Sequence, residues 1–139
     1  EAKKALAAFF QMIADRQRLP KMTWKFKPDT GSGASVEVKL SQPALAFRLW
    51  TANSSDRDFR DDSWSSVDLH PDSLTRAMAK VQTPEQGFRA YLVEAELKSS
   101  TGELYRLSTE ARVTPDGLPG APGKYGRSGG QKQTAARAQ

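Results

Sequence analysis

Apolar and polar residues alternate with a period of two through much of this chain, and no other feature restricts its fold as strongly. The alternation runs through residues 24–27, 36–40, 45–50, 91–97 and 105–113. Successive side chains of a β-strand point to opposite faces of the sheet, so each segment predicts a strand with one apolar face. Turn-forming residues separate the segments, and they predict a hairpin loop at Pro28–Gly33 and a turn at Ser41–Pro43. About seven short strands at a spacing of roughly ten residues predict a mainly β fold, an antiparallel β-sandwich of fibronectin-III-like or immunoglobulin-like type.

The second half of the chain contains the clearest hairpin. Tyr91–Leu97 predicts a long strand with one apolar face, and Ser99–Gly102 predicts the turn that follows it. On the return strand, every second residue is expected to share that face: Tyr105, Leu107, Thr109, Ala111 and Val113. In the first half, the same rule places three residues on the core face of one strand: Leu45, Phe47 and Leu49.

Residues Leu74–Val81 fit either of two structures. Asp72 or Ser73 is placed to cap a helix, and the residues that follow are good helix formers. Small apolar residues at positions 77, 79 and 81 instead follow the strand period. We predict a strand here.

Residues 1–18 predict an amphipathic helix, because apolar residues from Ala2 to Ile13 recur at the spacing of one helix face. Pro20 ends this helix, since its ring removes a donor and disfavours helical geometry at the preceding residue. Phe9 and Phe10 are adjacent, so the apolar stripe is wider than one sheet edge needs. We therefore expect Phe9 or Phe10 to stay exposed or to contact another molecule, and both are interface candidates.

The charge is placed unevenly along the chain. Of the net charge of +5, four positive charges lie after Asp116 and leave residues 1–119 close to neutral. A nucleic-acid-binding domain is expected to carry its excess charge within the folded part, so nucleic acid is not a predicted partner. The chain has no cysteine, which excludes disulfides, and no apolar run long enough to predict a membrane-spanning helix.

The residue types needed for catalysis or metal binding are sparse. His70 is the single histidine, and no serine lies in the Gly-x-Ser-x-Gly turn of serine hydrolases. One histidine without cysteine does not build a zinc site. Four aspartates between Asp56 and Asp62 lack the spacing of a calcium loop, and Arg57 and Arg60 interrupt their negative charge. We expect no catalytic residue, no metal site and no cofactor.

A cluster of aromatic and charged residues between Trp50 and Trp64 is the remaining candidate site. One interpretation is structural: Trp50 and Phe59 pack on a sheet edge, while Asp58 accepts two hydrogen bonds from an arginine and so fixes a long loop. The other is an interface, because Trp and Arg dominate binding hot spots and loops at the end of a sandwich often carry function. The interface candidates in this cluster are Trp50, Arg57, Asp58, Arg60 and Trp64.

Short motifs spread over roughly residues 9–119 resemble the C-terminal module of the PhoPQ-activated pathogenicity-related proteins, a family that includes the autocrine proliferation repressors. The matching positions are Leu19-Pro20, Trp24, Leu49–Ala52, Arg57–Arg60, Trp64, Gly87-Phe88, Ala111–Val113 and Pro115–Pro119. In that family an α/β-hydrolase-like domain comes first and this module follows it.

The resemblance implies a domain plan and a function. Residues 1–20 would end an upstream hydrolase-like domain, residues 21–118 would form the sandwich, and residues 119–139 are expected to be a disordered basic tail. The module would be a non-catalytic accessory domain that docks on the hydrolase domain of the same polypeptide. Because family members are typically exported, the resemblance implies a periplasmic or secreted protein. The alternative is a free-standing recognition module that binds a protein, peptide or glycan through the Trp50–Trp64 loop.

Overall fold

The computed structural model describes residues 2–16, 18–27 and 33–115. These residues form one helix, α1 (Ala2–Ala14), and eight strands. The strands are β1 (Met22–Lys27), β2 (Ala34–Leu40), β3 (Ala46–Ser54), β4 (Ser65–Leu69), β5 (Arg76–Val81), β6 (Phe88–Lys98), β7 (Leu104–Ser108) and β8 (Arg112–Thr114).

The strands build two antiparallel sheets that share one core. The first sheet has the order β1-β2-β5, and the second has the order β4-β3-β6-β7, with β8 also paired to β6. Val36 and Val38 of the first sheet and Val93 and Ala95 of the second are fully buried in the same hydrophobic cluster. The mainly β sandwich with one N-terminal helix is therefore confirmed. The strand β4 pairs with β3, whereas in constant-type immunoglobulin domains the fourth strand joins the sheet of the first, second and fifth.

Two predictions made from alternation have different outcomes. Residues Leu74–Val81, which fitted either a helix or a strand, contain strand β5. Ala77 and Ala79 are buried in this strand, so the predicted strand is confirmed. The placement of Leu45 on the core face is wrong, because Leu45 precedes β3 and is 56% exposed. Ala44 fills the core at this point instead, and its N–H donates to the carbonyl of Leu74 at 2.7 Å.

The return strand of the long hairpin is not continuous. Ser108 is the last residue of β7 and lies opposite Glu94, while Arg112, the first of β8, lies opposite Tyr91. Two residues of β6 therefore face three residues of the return strand, which is a β-bulge with one extra residue at 109–111. The extra residue reverses which residues face inward, so the predicted common face ends at Thr109. Ala111 is exposed, and Arg112 shares the face of Tyr91 in place of Val113.

Helix α1 lies beside β7 and is shorter than the predicted residues 1–18. It ends where Arg16 adopts a left-handed backbone (φ 52°), a common way for a helix to terminate. Ala8 and Met12 are buried in the core of the sandwich, and Phe9 packs against it. Phe10 is 65% exposed, as the width of the apolar stripe predicts.

The predicted loop at Pro28–Gly33, apart from Gly33, and the predicted tail at 119–139 lie outside the described residues. The proposed domain boundaries stay a prediction. In the part of the chain that the structure covers, no helix has the length and apolar character needed to cross a membrane.

Candidate functional site

The segment between β3 and β4, residues 55–64, lies over one end of the outer face of the five-stranded sheet. Phe88 and Ala90 have outward-facing positions on β6, yet they are only 3% and 2% exposed. The guanidinium of Arg57 lies over the Phe88 ring, 5.5 Å from its centroid, so the loop covers this apolar end of the face. Gly87, the residue before β6, passes so close to the carbonyl oxygen of Ser54 that a side chain would not fit. The Arg57 contact thus holds the loop against the sheet, and the Gly87 contact packs the end of β3 closely against the start of β6.

Local hydrogen bonds shape the start of this loop. The hydroxyl of Ser54 lies 3.0 Å from Oδ1 of Asp56, and the same oxygen accepts the Asp58 N–H at 3.0 Å. These bonds bracket Arg57, whose backbone is left-handed with a φ of 72°. The Asp58 N–H, followed by the Ser54 hydroxyl, holds the pKa of Asp56 below its ordinary value, because both bonds stabilise the carboxylate.

Asp58 and Arg60 form the bidentate pair that the sequence suggested. The Nε of Arg60 donates to Oδ1 of Asp58 at 2.8 Å, and the Nη2 of Arg60 contacts the other carboxylate oxygen. The Arg60 side chain lowers the pKa of Asp58, and the carboxylate in turn raises the pKa of Arg60. However, both partners belong to the same loop, and the Arg60 side chain is 87% exposed. The pair therefore shapes the loop from within, while the Arg57–Phe88 contact and the Ser54 hydroxyl tie the loop to the sheet.

The aromatic candidates lie in two different places. Phe59 and Trp64 face each other within the loop, with ring centroids 6.5 Å apart. Trp50 lies on β3, between Ser66 of β4 and Leu92 of β6. The predicted packing of Trp50 with Phe59 on a sheet edge is wrong, because β3 has a neighbouring strand on each side. The indole N–H of Trp50 is buried and has no hydrogen-bond partner among the described residues.

Beyond Trp50, the same outer face carries an ionic cluster that sequence reasoning missed. Arg48 donates to Asp68 at 3.2 Å and to Glu96 at 3.4 Å, and Arg106 donates to Glu96 at 3.1 Å. Glu94 lies 3.7 Å from both arginines. Burial lowers the pKa of Arg48, but the hydrogen bonds and charges of Glu96 and Asp68 outweigh this effect and raise it. The charged residues occupy polar positions of the alternating strands, which is the signal that the sequence offers for this cluster. Only the register of the strands shows that these charges are neighbours.

The other predicted features lie away from this face. Phe9 and Phe10 belong to α1 beside β7, and His70 is exposed just after β4. Among the described residues, no group of three or more His, Cys, Asp or Glu is arranged to hold a metal ion. The face and its loop combine aromatic surface with paired charges, which suits contact with another molecule.

Comparisons with known proteins agree with the resemblance. A profile of the family described as PhoPQ-activated pathogenicity-related protein matches residues 1–60. The autocrine proliferation repressor protein A of Dictyostelium discoideum is 25% identical over 154 aligned residues, which cover 93% of this chain. The chain spans 31% of the length of that relative. No solved structure matches the chain. The family resemblance predicted from the sequence is therefore confirmed, and the chain is similar to the PhoPQ-activated pathogenicity-related proteins.

Proposed function

We propose that this chain is a non-catalytic accessory domain of an exported, α/β-hydrolase-like protein of the PhoPQ-activated pathogenicity-related type. In this proposal it docks on the hydrolase domain of the same polypeptide through the outer side of α1 and supports that domain. The placement of β4 beside β3 supports a fibronectin-III-like classification of the sandwich, which belongs to the same proposal.

The observation that carries the proposal is an apolar stripe on α1 that the sandwich leaves uncovered. Leu6, Phe10 and Ile13 are 58%, 65% and 58% exposed, although their spacing places them along one side of the helix. The helix already buries Ala8 and Met12 in the core, so the exposed stripe is additional apolar surface. Contiguous exposed apolar surface of this kind marks a contact with another protein surface.

Neighbouring residues extend this surface. Leu104 on β7 is 49% exposed, and it lines a shallow depression of about 480 Å³ with Lys3, Ala7 and Glu103. More than two thirds of the length of the Dictyostelium relative lies outside the matched region, since this chain spans 31% of it. A preceding domain of the same polypeptide is thus a partner of suitable kind, and its attachment close to α1 would make docking intramolecular.

A triple substitution on the stripe tests the docking proposal. The chain with Leu6→Ser, Phe10→Ser and Ile13→Ser is titrated against the separately expressed hydrolase-like part of the parent protein. Loss of three apolar anchors is expected to weaken association by about 2 kcal/mol or more, the magnitude of a binding hot spot. Chemical denaturation of the variant checks that the sandwich is intact, because the substituted side chains are exposed.

The second candidate function is recognition of a partner through the loop, and a variant of that loop is the matched control for the helix variant. A recognition module that uses the loop is favoured by the exposure of Arg60 and by the Phe59–Trp64 ring pair, which together offer a cation and aromatic surface. Arg60→Ala with Trp64→Ala removes both groups and leaves α1 untouched. If the loop variant loses the partner while the helix variant keeps it, the loop is the interface and the helix proposal is wrong. Ester hydrolysis by the purified chain that disappears in His70→Ala would contradict the non-catalytic part.

A further inference from the structure

The outer face of the three-stranded sheet concentrates positive charge. Outward positions of β1, β2 and β5 alternate with the buried positions and form three cross-strand rows in the observed register. One acid, Glu37, lies at the centre of these rows. The basic residues around it, which together with Glu37 we call the basic face, are Lys25, Lys27, Lys39, Arg76 and Lys80.

Glu37 neutralises only part of this charge. Its carboxylate lies 3.7 Å from the Nζ of Lys39 and 3.8 Å from the Nε of Arg76. No ion pair to Lys25, Lys27 or Lys80 exists within the described ranges. Lys39 and Arg76 are direct cross-strand neighbours, an arrangement of like charges that destabilises a sheet. This arrangement of like charges costs stability in the free domain, and an anionic partner would offset the repulsion.

The summed charge of the chain conceals this face. On the opposite sheet, Arg48 and Arg106 are matched by Asp68, Glu94 and Glu96, so the charges of that ionic cluster are paired. Positive and negative residues nearly cancel in the total for residues 1–119, and that total does not record that five basic residues share the outer side of β1, β2 and β5.

The shape and chemistry of the basic face favour a planar anionic partner. Its charges are spread over three strands, in two dimensions, and do not follow a single groove, as a polymer chain would require. Four of its five basic residues are lysines, which act as mobile point charges and do not impose the fixed geometry of arginine. Its outward positions carry no aromatic ring, which single-stranded nucleic acids need for stacking.

From these observations we propose that the basic face binds the surface of a membrane containing anionic phospholipids. Lysines near such a surface are attracted by its negative potential, by about fivefold in affinity for each residue. Met78, within the face, is 56% exposed, and its apolar side chain is able to contact the boundary between headgroups and acyl chains. The proposal does not rest on the accessory-domain function, because α1 lies beside β7 and leaves the basic face open.

Sedimentation with vesicles tests the proposal. The 139-residue chain is mixed with phosphatidylcholine vesicles that contain or lack phosphatidylserine. Binding is expected only to the vesicles that contain phosphatidylserine. The variant Lys25→Gln, Lys27→Gln, Lys80→Gln is expected to bind these vesicles with an affinity lower by roughly a hundredfold. The matched control replaces three basic residues away from this face, Lys3→Gln, Arg16→Gln and Lys98→Gln, and is expected to bind nearly as well as the unmodified chain. Both variants have the same net charge and the same C-terminal residues, so a difference between them reports the face itself.

A substitution at Glu37 gives the opposite prediction. Glu37→Gln removes the central acid and releases Lys39 and Arg76, so affinity for the phosphatidylserine vesicles is expected to rise about fivefold. A folding defect would not produce a gain. Equal loss in the two triple variants, or no binding by the unmodified chain, would overturn the proposal. So would binding to dextran sulfate without binding to the vesicles, because the partner would then be a soluble polyanion.

Discussion

Thr109 and Val93 exchange two hydrogen bonds at the bulge of the long hairpin. The N–H of Thr109 donates to the carbonyl of Val93 at 2.9 Å, and the N–H of Val93 donates to the Thr109 hydroxyl oxygen at 3.1 Å. That hydroxyl donates its own proton to the carbonyl of Glu110 at 2.9 Å. A side chain therefore replaces the backbone acceptor that the extra residue has displaced, and Val93, which is fully buried, keeps its partner.

Thr109→Val tests this replacement, because valine has nearly the same shape but accepts no hydrogen bond. The N–H of Val93 would lose its acceptor in a buried place, and we expect the free energy of unfolding to fall by about 1–3 kcal/mol. Thr109→Ser keeps the hydroxyl and is expected to lose clearly less. Urea denaturation of the three chains measures the difference. Equal midpoints for the valine variant and the unmodified chain would show that the hydroxyl is dispensable.

The two sides of α1 should respond differently to truncation. Met12 is 3% exposed in the core, so Met12→Ala should lower the free energy of unfolding by about 2–5 kcal/mol. Phe10→Ala removes a larger side chain that is 65% exposed, and its effect on the isolated chain should stay within about 0.5 kcal/mol. Thermal or chemical denaturation of the two variants measures the change in the free energy of unfolding. A large loss from Phe10→Ala in the monomer would mean that the stripe is already covered.

Glycine is required more strictly at Gly87 than at Gly102, although both have a positive φ, of 72° and 91°. A Cβ at Gly87 would collide with the backbone oxygen of Ser54, which cannot move without disturbing β3. At Gly102 the nearest atom is the flexible Lys98 side chain at 3.6 Å. We expect Gly102→Ala to destabilise the chain by about 1 kcal/mol and Gly87→Ala by about 3 kcal/mol. Similar denaturation midpoints for the two variants would contradict the close contact.

The pKa values of Asp56 and Asp58 should lie below the ordinary value of 3.8, and each is lowered by different hydrogen bonds. Arg60→Gln removes the main cause of the shift at Asp58, so the pKa of Asp58 should rise toward its ordinary value. The pKa of Asp56 should stay low, because the Asp58 N–H and the Ser54 hydroxyl are unchanged. NMR titration of the two carboxyl groups tests this. A pKa of Asp58 that does not respond to Arg60→Gln would show that the pair does not persist in solution.

These shifts also set a direction for stability. A carboxyl group whose pKa is lower in the folded chain adds stability above its unfolded pKa, and that stability disappears as the pH falls through the folded value. For Asp58 the contribution is therefore present at neutral pH and is lost only in acid, below pH 3.8. The pair is exposed to solvent, so Asp58→Asn should change the denaturation midpoint only slightly at neutral pH.

Alternation with a period of two located the strands because it records which side of a strand is buried, and burial dominates stability. It could not locate the bulge, since one extra residue leaves the local pattern of apolar residues intact and appears only in the pairing of Ser108 and Arg112 with β6. The ionic cluster was missed for a similar reason: Arg48 and Glu94 are distant in sequence and become neighbours only through register. The basic face was hidden because a net charge sums over both sides of the sandwich.

The bulge at residues 109–111 also decides on which side of the sheet each of the following residues lies. Arg112 shares the side of Tyr91 and lies over the Phe26 ring at 5.0 Å, while Thr114 is fully buried. Deleting one residue from the bulge would merge β7 and β8 into one regular strand in which Arg112 still lies opposite Tyr91 and Thr114 keeps its buried side. Deleting two residues would instead reverse the side taken by positions 112–114, so a loss of one residue here preserves their environment and a loss of two does not.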